Sequence, residues 1–294
     1  MNILLLIVPI LMLLMFSLGL DLRPADFARV VRGPRAALIG LTAQMFGLPL
    51  VAFLVAALLG LPPVLAVGLV LLAACPGGAS SNAFTMLARG DVALSVSLTA
   101  VTSVMTVLTI PMVVNLAMGH WMTTDAGLRL PLGPVLGQNA VTILLPIGAG
   151  MLLRTRRAKL ADRWGDLLRK AALPLLLVMI AIFMVQQRAV LLAGVTTVAL
   201  ATLLLIAATM ALGAFLGWAG RLRETARRAI LIEVGMQNAA QAMAVAASPF
   251  LLADGAYAIP AVVYAVTMNG VLLGYLAWLR HRAPKLGMLY GCRG

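Results

Sequence analysis

The chain has 294 residues, of which 63% are apolar and 11% charged, and 22 Lys+Arg stand against 9 Asp+Glu. In a soluble protein that basic excess would suggest a nucleic-acid surface, but here the cations sit in short clusters between apolar segments of membrane-spanning length. The charge pattern therefore argues for membrane topology and against nucleic-acid binding, and the expected fold class is an all-α polytopic membrane protein.

About nine transmembrane helices are expected, over residues 2–20, 36–59, 64–88, 92–118, 135–153, 173–186, 190–218, 229–252 and 258–279. When the connecting segments are placed alternately on two sides, one side receives every Lys and Arg except Arg129 and Arg188. The positive-inside rule makes that side cytoplasmic, with the N-terminus outside and the C-terminus inside. The first apolar run has no cation before it and Asp21 and Arg23 at its end, the reverse of a signal peptide, so it is expected to be retained. Cys75 falls in a span and Cys292 in the cytoplasmic tail, so no disulfide framework is expected. Membrane lipid is the implied surrounding, and no protein partner is implied.

The third span is interrupted by Cys75-Pro76-Gly77-Gly78-Ala79-Ser80-Ser81-Asn82, where Pro76 removes a backbone donor and the glycines release the helix. The fourth carries Ser95, Thr99, Thr102 and Thr106 on one helical face. Taken alone, such a stripe is read as hydroxyls bonding back to their own helix. The eighth span is interrupted at Gly235, and its run Glu233-Val234-Gly235-Met236-Gln237-Asn238 includes the one acid inside a long apolar segment. An ionisable group at that depth is a functional-site candidate. Unwound backbone within a membrane is tolerable only where protein buries it or it lines a cavity, and one break in each half of the chain points to a secondary transporter built from inverted repeats. The candidate ligands are hydroxyls, amides, one carboxylate and freed carbonyls, with both histidines, His120 and His281, at span ends. Oxygen donors of this kind suit a hard cation better than a transition metal.

These motifs resemble those of the bile acid:sodium symporters and their bacterial homologues: Cys75-Pro76-Gly77-Gly78 followed by Ser81-Asn82, the stretch Leu87-Ala88-Arg89-Gly90-Asp91-Val92-Ala93-Leu94-Ser95-Val96, and Glu233 to Asn238. The resemblance runs over nearly the whole chain and implies the nine-span form of that fold. It implies a first inverted repeat over 1–120 (spans 1–4) and a second over 121–294 (spans 5–9), with two discontinuous helices crossing at the midplane. Spans 2–4 and 7–9 would form a core domain, and spans 1, 5 and 6 a panel domain. Two sodium sites are implied, the first from Ser81, Asn82, Ser95, Thr99 and Glu233. The second would use Gln44, Glu233 and Gln237 with the carbonyls of Val234 and Met236. Asn238, Ala79 and Asn269 would face the substrate. Relatives often have Thr where this chain has Ala79, and Trp-His-Asn where it has Thr267-Met268-Asn269. The ion ligands thus keep the family's residue types while the pocket has diverged, and bile acids are not implied as the substrate.

The expected function is sodium-coupled import of a small organic anion across the cell (inner) membrane by alternating access. The alternatives are a metalloid exporter of the related fold, for which Cys75 would be the suggestive residue, and, more distantly, an intramembrane hydrolase. The hydrolase is disfavoured because Ser80 and Ser81 have no histidine at depth and Glu233 has no acidic mate.

Overall fold

A computed structural model describes residues 4–78, 80–122, 132–247, 252 and 254–290. Regular structure among them is helical: α1 Leu4–Asp21, α2 Pro24–Arg32, α3 Pro34–Thr42, α4 Leu48–Leu58, α5 Pro63–Ala74, α6 Ser80–Leu87 and α7 Val92–Trp121. The chain continues with α8 Leu132–Asn139, α9 Leu145–Arg156, α10 Ala158–Gln186, α11 Arg188–Ala219, α12 Glu224–Gly235, α13 Ala239–Ala247 and α14 Ile259–Tyr290. By length and apolar composition, four segments of the described chain are able to cross a membrane, namely Pro34–Leu58, Val92–Trp121, Gly194–Ala219 and Gly255–His281. A fifth is a pair bent by 73°, Val8–Asp21 with Pro24–Val30. Their outer faces carry exposed Leu38, Leu50, Leu54, Leu108, Met112 and Leu116. Such apolar faces suit lipid, and the chain is an integral membrane protein.

Two details of α3 and α4 follow from one proline. Pro49 has no N–H and its ring would strike the carbonyl four residues back, so the helix widens into a π-turn over Ala43–Gly47 between α3 and α4. Pro146 produces the same π-turn over Ala140–Leu144 between α8 and α9. The first of these turns buries Gln44.

Some boundaries differ from the sequence expectation. The sixth segment, expected over 173–186, is helical from Ala158, because its cation-rich beginning contains no proline before Pro174 to stop the helix. The segment between the first two expected spans folds as α2, which starts with Pro24 at its first turn and has the Asp26 carboxylate accepting from Arg23 N at 2.7 Å. Phe27 and Val30 lay its apolar side on the core.

The cation-rich turns gather at one end of the bundle. Arg154 Nε donates to Leu20 O at 2.5 Å, Arg29 to Ala93 O at 3.4 Å, and Asp91 N to Thr225 O at 2.9 Å. At the opposite end Tyr257 OH reaches Met122 Sδ at 3.4 Å, and Gly255 lies against the Gln187 side chain of the α10–α11 turn. Between the ends, α5 is buried continuously from Leu65 to Ala74 and α13 from Ala239 to Ala246. Helices that are apolar all round belong in the interior. One half of each broken pair, α5 and α13, is therefore enclosed, whereas α6 exposes Met86 and Leu87.

Candidate functional site

The first break lies between α5 and α6, and the second between α12 and α13. Unwound peptide groups buried away from water need partners, and here the two breaks supply each other's. Gly77 and Gln237 form an isolated antiparallel bridge, with Gly78 N donating to Met236 O at 3.1 Å and Asn238 N to Pro76 O at 2.9 Å. Tyr264 OH takes a further freed carbonyl, Gly235 O, at 2.9 Å. The two interruptions read separately in the sequence thus meet at one point.

Glu233 ends up beside that bridge, 1% exposed. Ser81 and Ser95 each donate to its Oε2 at 2.7 Å, and Thr99 donates to Oε1. Ser81 comes from the first turn of α6, and Ser95 and Thr99 lie one turn apart on α7. Glycine at position 77 leaves room for the carboxylate, because a Cβ there would lie 2.9 Å from Glu233 Cδ and closer still to its oxygen, and would push that side chain aside. Among the described residues no Lys, Arg or His forms an ion pair with Glu233. A carboxylate buried without a counter-charge is costly, and a cation held among these oxygens would offset that cost.

The α7 stripe divides. Ser95 and Thr99 serve Glu233, whereas Thr102 and Thr106 donate back to Thr99 O and Ser103 O, both at 3.2 Å. Periodicity put all four on one face, but only two reach the acid.

A second set of oxygens surrounds Gln237. Gln44 Nε2 donates to Gln237 Oε1 at 2.7 Å and lies 3.5 Å from Cys75 O, while Gln237 Nε2 donates to Val234 O at 3.0 Å. Met236 O accepts the bridge bond from Gly78. Among the described residues two buried acceptors have no donor, Gln44 Oε1, on a side chain bonded to Gln237, and Asn82 Oδ1, on the residue after Ser81. Acceptor oxygens without donors beside an uncompensated carboxylate are what a hard cation needs, so the residues present fit sodium as a transported ion.

Of the residues expected to face substrate, Asn238 is 9% exposed and its Oδ1 accepts from Gln241 N at 3.0 Å, capping α13. Asn269 instead donates to Ala265 O of its own helix at 2.8 Å. Ala79 lies outside the described residues. Sequence reasoning missed Tyr264, Thr85 and Gln241. Thr85 Oγ1 lies 3.4 Å from Ser95 Oγ, and neither polar side-chain atom of the buried Gln241 has a partner among the described residues. For Gln241 a signal existed, since it is a carboxamide in an otherwise apolar helix; Tyr264 offers none, because its partner is distant in sequence.

The family described as Sodium Bile acid symporter family matches residues 8–194. The chain belongs to that family. Its members are sodium-coupled transporters rather than enzymes. A Bacillus subtilis (strain 168) protein named "Uncharacterized sodium-dependent transporter YocS" is 31% identical over 262 residues, 87% of this chain and 77% of that one. The Arabidopsis thaliana "Probable sodium/metabolite cotransporter BASS1, chloroplastic" is 32% identical over 272 residues, 92% of this chain and 66% of that one. The Mus musculus "Sodium/bile acid cotransporter 4" is 30% identical over 229 residues, 76% of this chain and 51% of that one. The family match to residues 8–194 covers the first break and the hydroxyls of α7 and ends before α12, which carries Glu233.

Proposed function

We propose that this protein couples inward sodium movement to the import of a small organic anion by alternating access. The observation that carries the reading is Glu233: a buried carboxylate with no ion pair among the described residues, ringed by three hydroxyls and flanked by unpartnered acceptors. One sodium ion would take the oxygens of Ser81, Asn82, Ser95, Thr99 and Glu233. A second would take those of Gln44, Glu233 and Gln237 with the carbonyls of Val234 and Met236. Two monovalent cations against one carboxylate leave a positive excess, and the half-helix N-termini add partial positive charge, which favours an anion at Asn238, Ala79 and Asn269. With one net charge moved inward per monoanion, a potential of 100 mV would contribute about 2.3 kcal/mol to accumulation.

The architecture that goes with this reading has nine spans and two inverted repeats, with the breaks crossing at the membrane midplane. A core of spans 2–4 and 7–9 moves against a panel of spans 1, 5 and 6. The N-terminus is outside and the C-terminus cytoplasmic, in the cell membrane. The gathering of the cation-rich turns at one end of the bundle supports that orientation.

The experiment is uptake by proteoliposomes of a panel of labelled organic anions, with an inward sodium gradient or with choline in its place. Uptake that needs sodium and rises when the lumen is made negative is the expected result. Accumulation indifferent to sodium would overturn the reading.

A further inference from the structure

The two helices that deliver Ser81 and Glu233 are joined a second time, at the cation-rich end. Arg228, in the second turn of α12, donates from Nη1 to Ala88 O at 2.8 Å, and its Nη2 pairs with Glu224. Ala88 follows the last residue of α6 and is 2% exposed, so its carbonyl is one of those a helix end leaves without an internal donor. A guanidinium suits that place, satisfying the carbonyl and complementing the negative end of the helix dipole. Immediately after it the chain reverses through Arg89, whose φ of +54° lies in the left-handed region. Gly90 then presses on α12, where a Cβ would lie 3.3 Å from Ala229 N and 2.9 Å from Thr85 Cγ2. Asp91 completes the join, with its N–H on Thr225 O at 2.9 Å and its Oδ1 accepting from Leu94 N at 3.0 Å to start α7.

From this latch, α6 runs about two turns inward to Ser81, and α12 about one and a half turns to Glu233. Thr85 lies between, 3.4 Å from Ser95 Oγ. α6 has only 8 residues, too few to hold a helical shape without tertiary support, and its other end is the unwound break. The Glu224 ion pair is exposed and contributes little by itself. The bond to the buried Ala88 carbonyl is the tie that matters.

We propose that Arg228 is a positioning residue for the cation site: by clamping the end of α6 to α12 it holds Ser81 and Asn82 where their oxygens converge with Glu233, so that sodium meets a site already assembled. This rests on the reading of the Glu233 cluster as a sodium site. Without the clamp, α6 must be re-ordered each time the ion binds, and that cost appears as lost sodium affinity.

The test is a sodium titration of purified full-length protein, with sodium chloride alone as the probe and choline chloride holding ionic strength, read by intrinsic tryptophan fluorescence. Thermal unfolding in choline is measured in parallel. Arg228→Gln is expected to raise the sodium midpoint about tenfold, equivalent to about 1.4 kcal/mol. Arg228→Lys, which keeps a donor for Ala88 O, should recover part of that loss, and Gly90→Ala, which pries the turn off α12, should reproduce it. Unchanged midpoints in folded Arg228→Gln and Gly90→Ala would overturn the proposal, as would variants that melt earlier in choline yet keep the original midpoint. If the unmodified protein shows no sodium response at all, the sodium reading itself falls and the proposal falls with it.

Discussion

The oxygens around Glu233 and those around Gln237 lie side by side, yet they are built from different chemistry. Glu233 is met by hydroxyls, and a hydroxyl hydrogen turns about its C–O bond, so Ser81, Ser95 and Thr99 are able to exchange a donated proton for an exposed lone pair without moving a heavy atom. Gln237 is met by a carboxamide, whose donor and acceptor are fixed in place. Gln44 and Gln237 are bonded to each other at 2.7 Å, and Gln237 is bonded in turn to Val234 O. A cation that is to use Gln237 Oε1 must displace the Gln44 amide donor from it, although Gln44 Oε1 is already without a donor among the described residues. One cluster is therefore already organised for an ion, whereas the other has to be opened, and under the two-site reading binding is sequential, with the Glu233 cluster filling first.

The harshest way to break this comparison is at Gly77, which the two clusters share through the bridge to Gln237. Gly77→Ala would place a methyl against the Glu233 carboxylate, so sodium binding should be lost and stability should fall by about 1 to 3 kcal/mol. Thermal unfolding and a sodium titration on the same preparation check both. Gly78→Ala should be milder, since its Cβ would lie 3.3 Å from Gln237 O.

A finer cut separates the clusters. Gln44→Leu removes the amide that holds Gln237 and leaves Gln237 Oε1 buried without its donor, a change worth about 1 to 3 kcal/mol. The steepness of the sodium titration should fall towards that of a single site while binding at Glu233 persists. A titration as steep as the original would show that the two clusters do not bind in sequence.

The smallest expected effect is at Gln241, which belongs to neither cluster and has both side-chain polar atoms unpartnered among the described residues. Replacing an unpaired buried amide by an apolar group of similar size is neutral or favourable. Gln241→Leu should therefore raise the unfolding temperature in sodium-free buffer by about 2 °C, on the basis of about 1 kcal/mol gained. A lower unfolding temperature would mean that the amide has a partner in the folded protein.

Much of this was legible in the chain because it rests on residue types that are conspicuous in an apolar sequence. Glu233 and the Pro76-Gly77-Gly78 interruption stood out for that reason. The pairing of the two breaks was legible only through the family resemblance, since Gly77 and Gln237 are far apart in sequence and no local pattern encodes their bridge. The division of the α7 stripe was legible only through the family resemblance, which singled out Ser95 and Thr99, because 3.6-residue periodicity assigns a face and says nothing of which hydroxyls find a partner across it. The helical start of α10 at Ala158 was missed for a related reason: hydropathy marks what lies in lipid, and a helix continues wherever its backbone bonds are not interrupted.

The central claim, that Glu233 is the carboxylate that binds the coupling ion, is tested most directly by comparing sodium titrations of the unmodified protein and Glu233→Gln, with potassium and choline as controls. The substitution keeps the side chain's size and one acceptor oxygen while removing the charge, and a hydroxyl facing the new NH2 can turn to accept from it. The account predicts a saturable, sodium-specific response in the unmodified protein and none in Glu233→Gln up to the highest soluble sodium concentration. A response in Glu233→Gln with the original midpoint would contradict it.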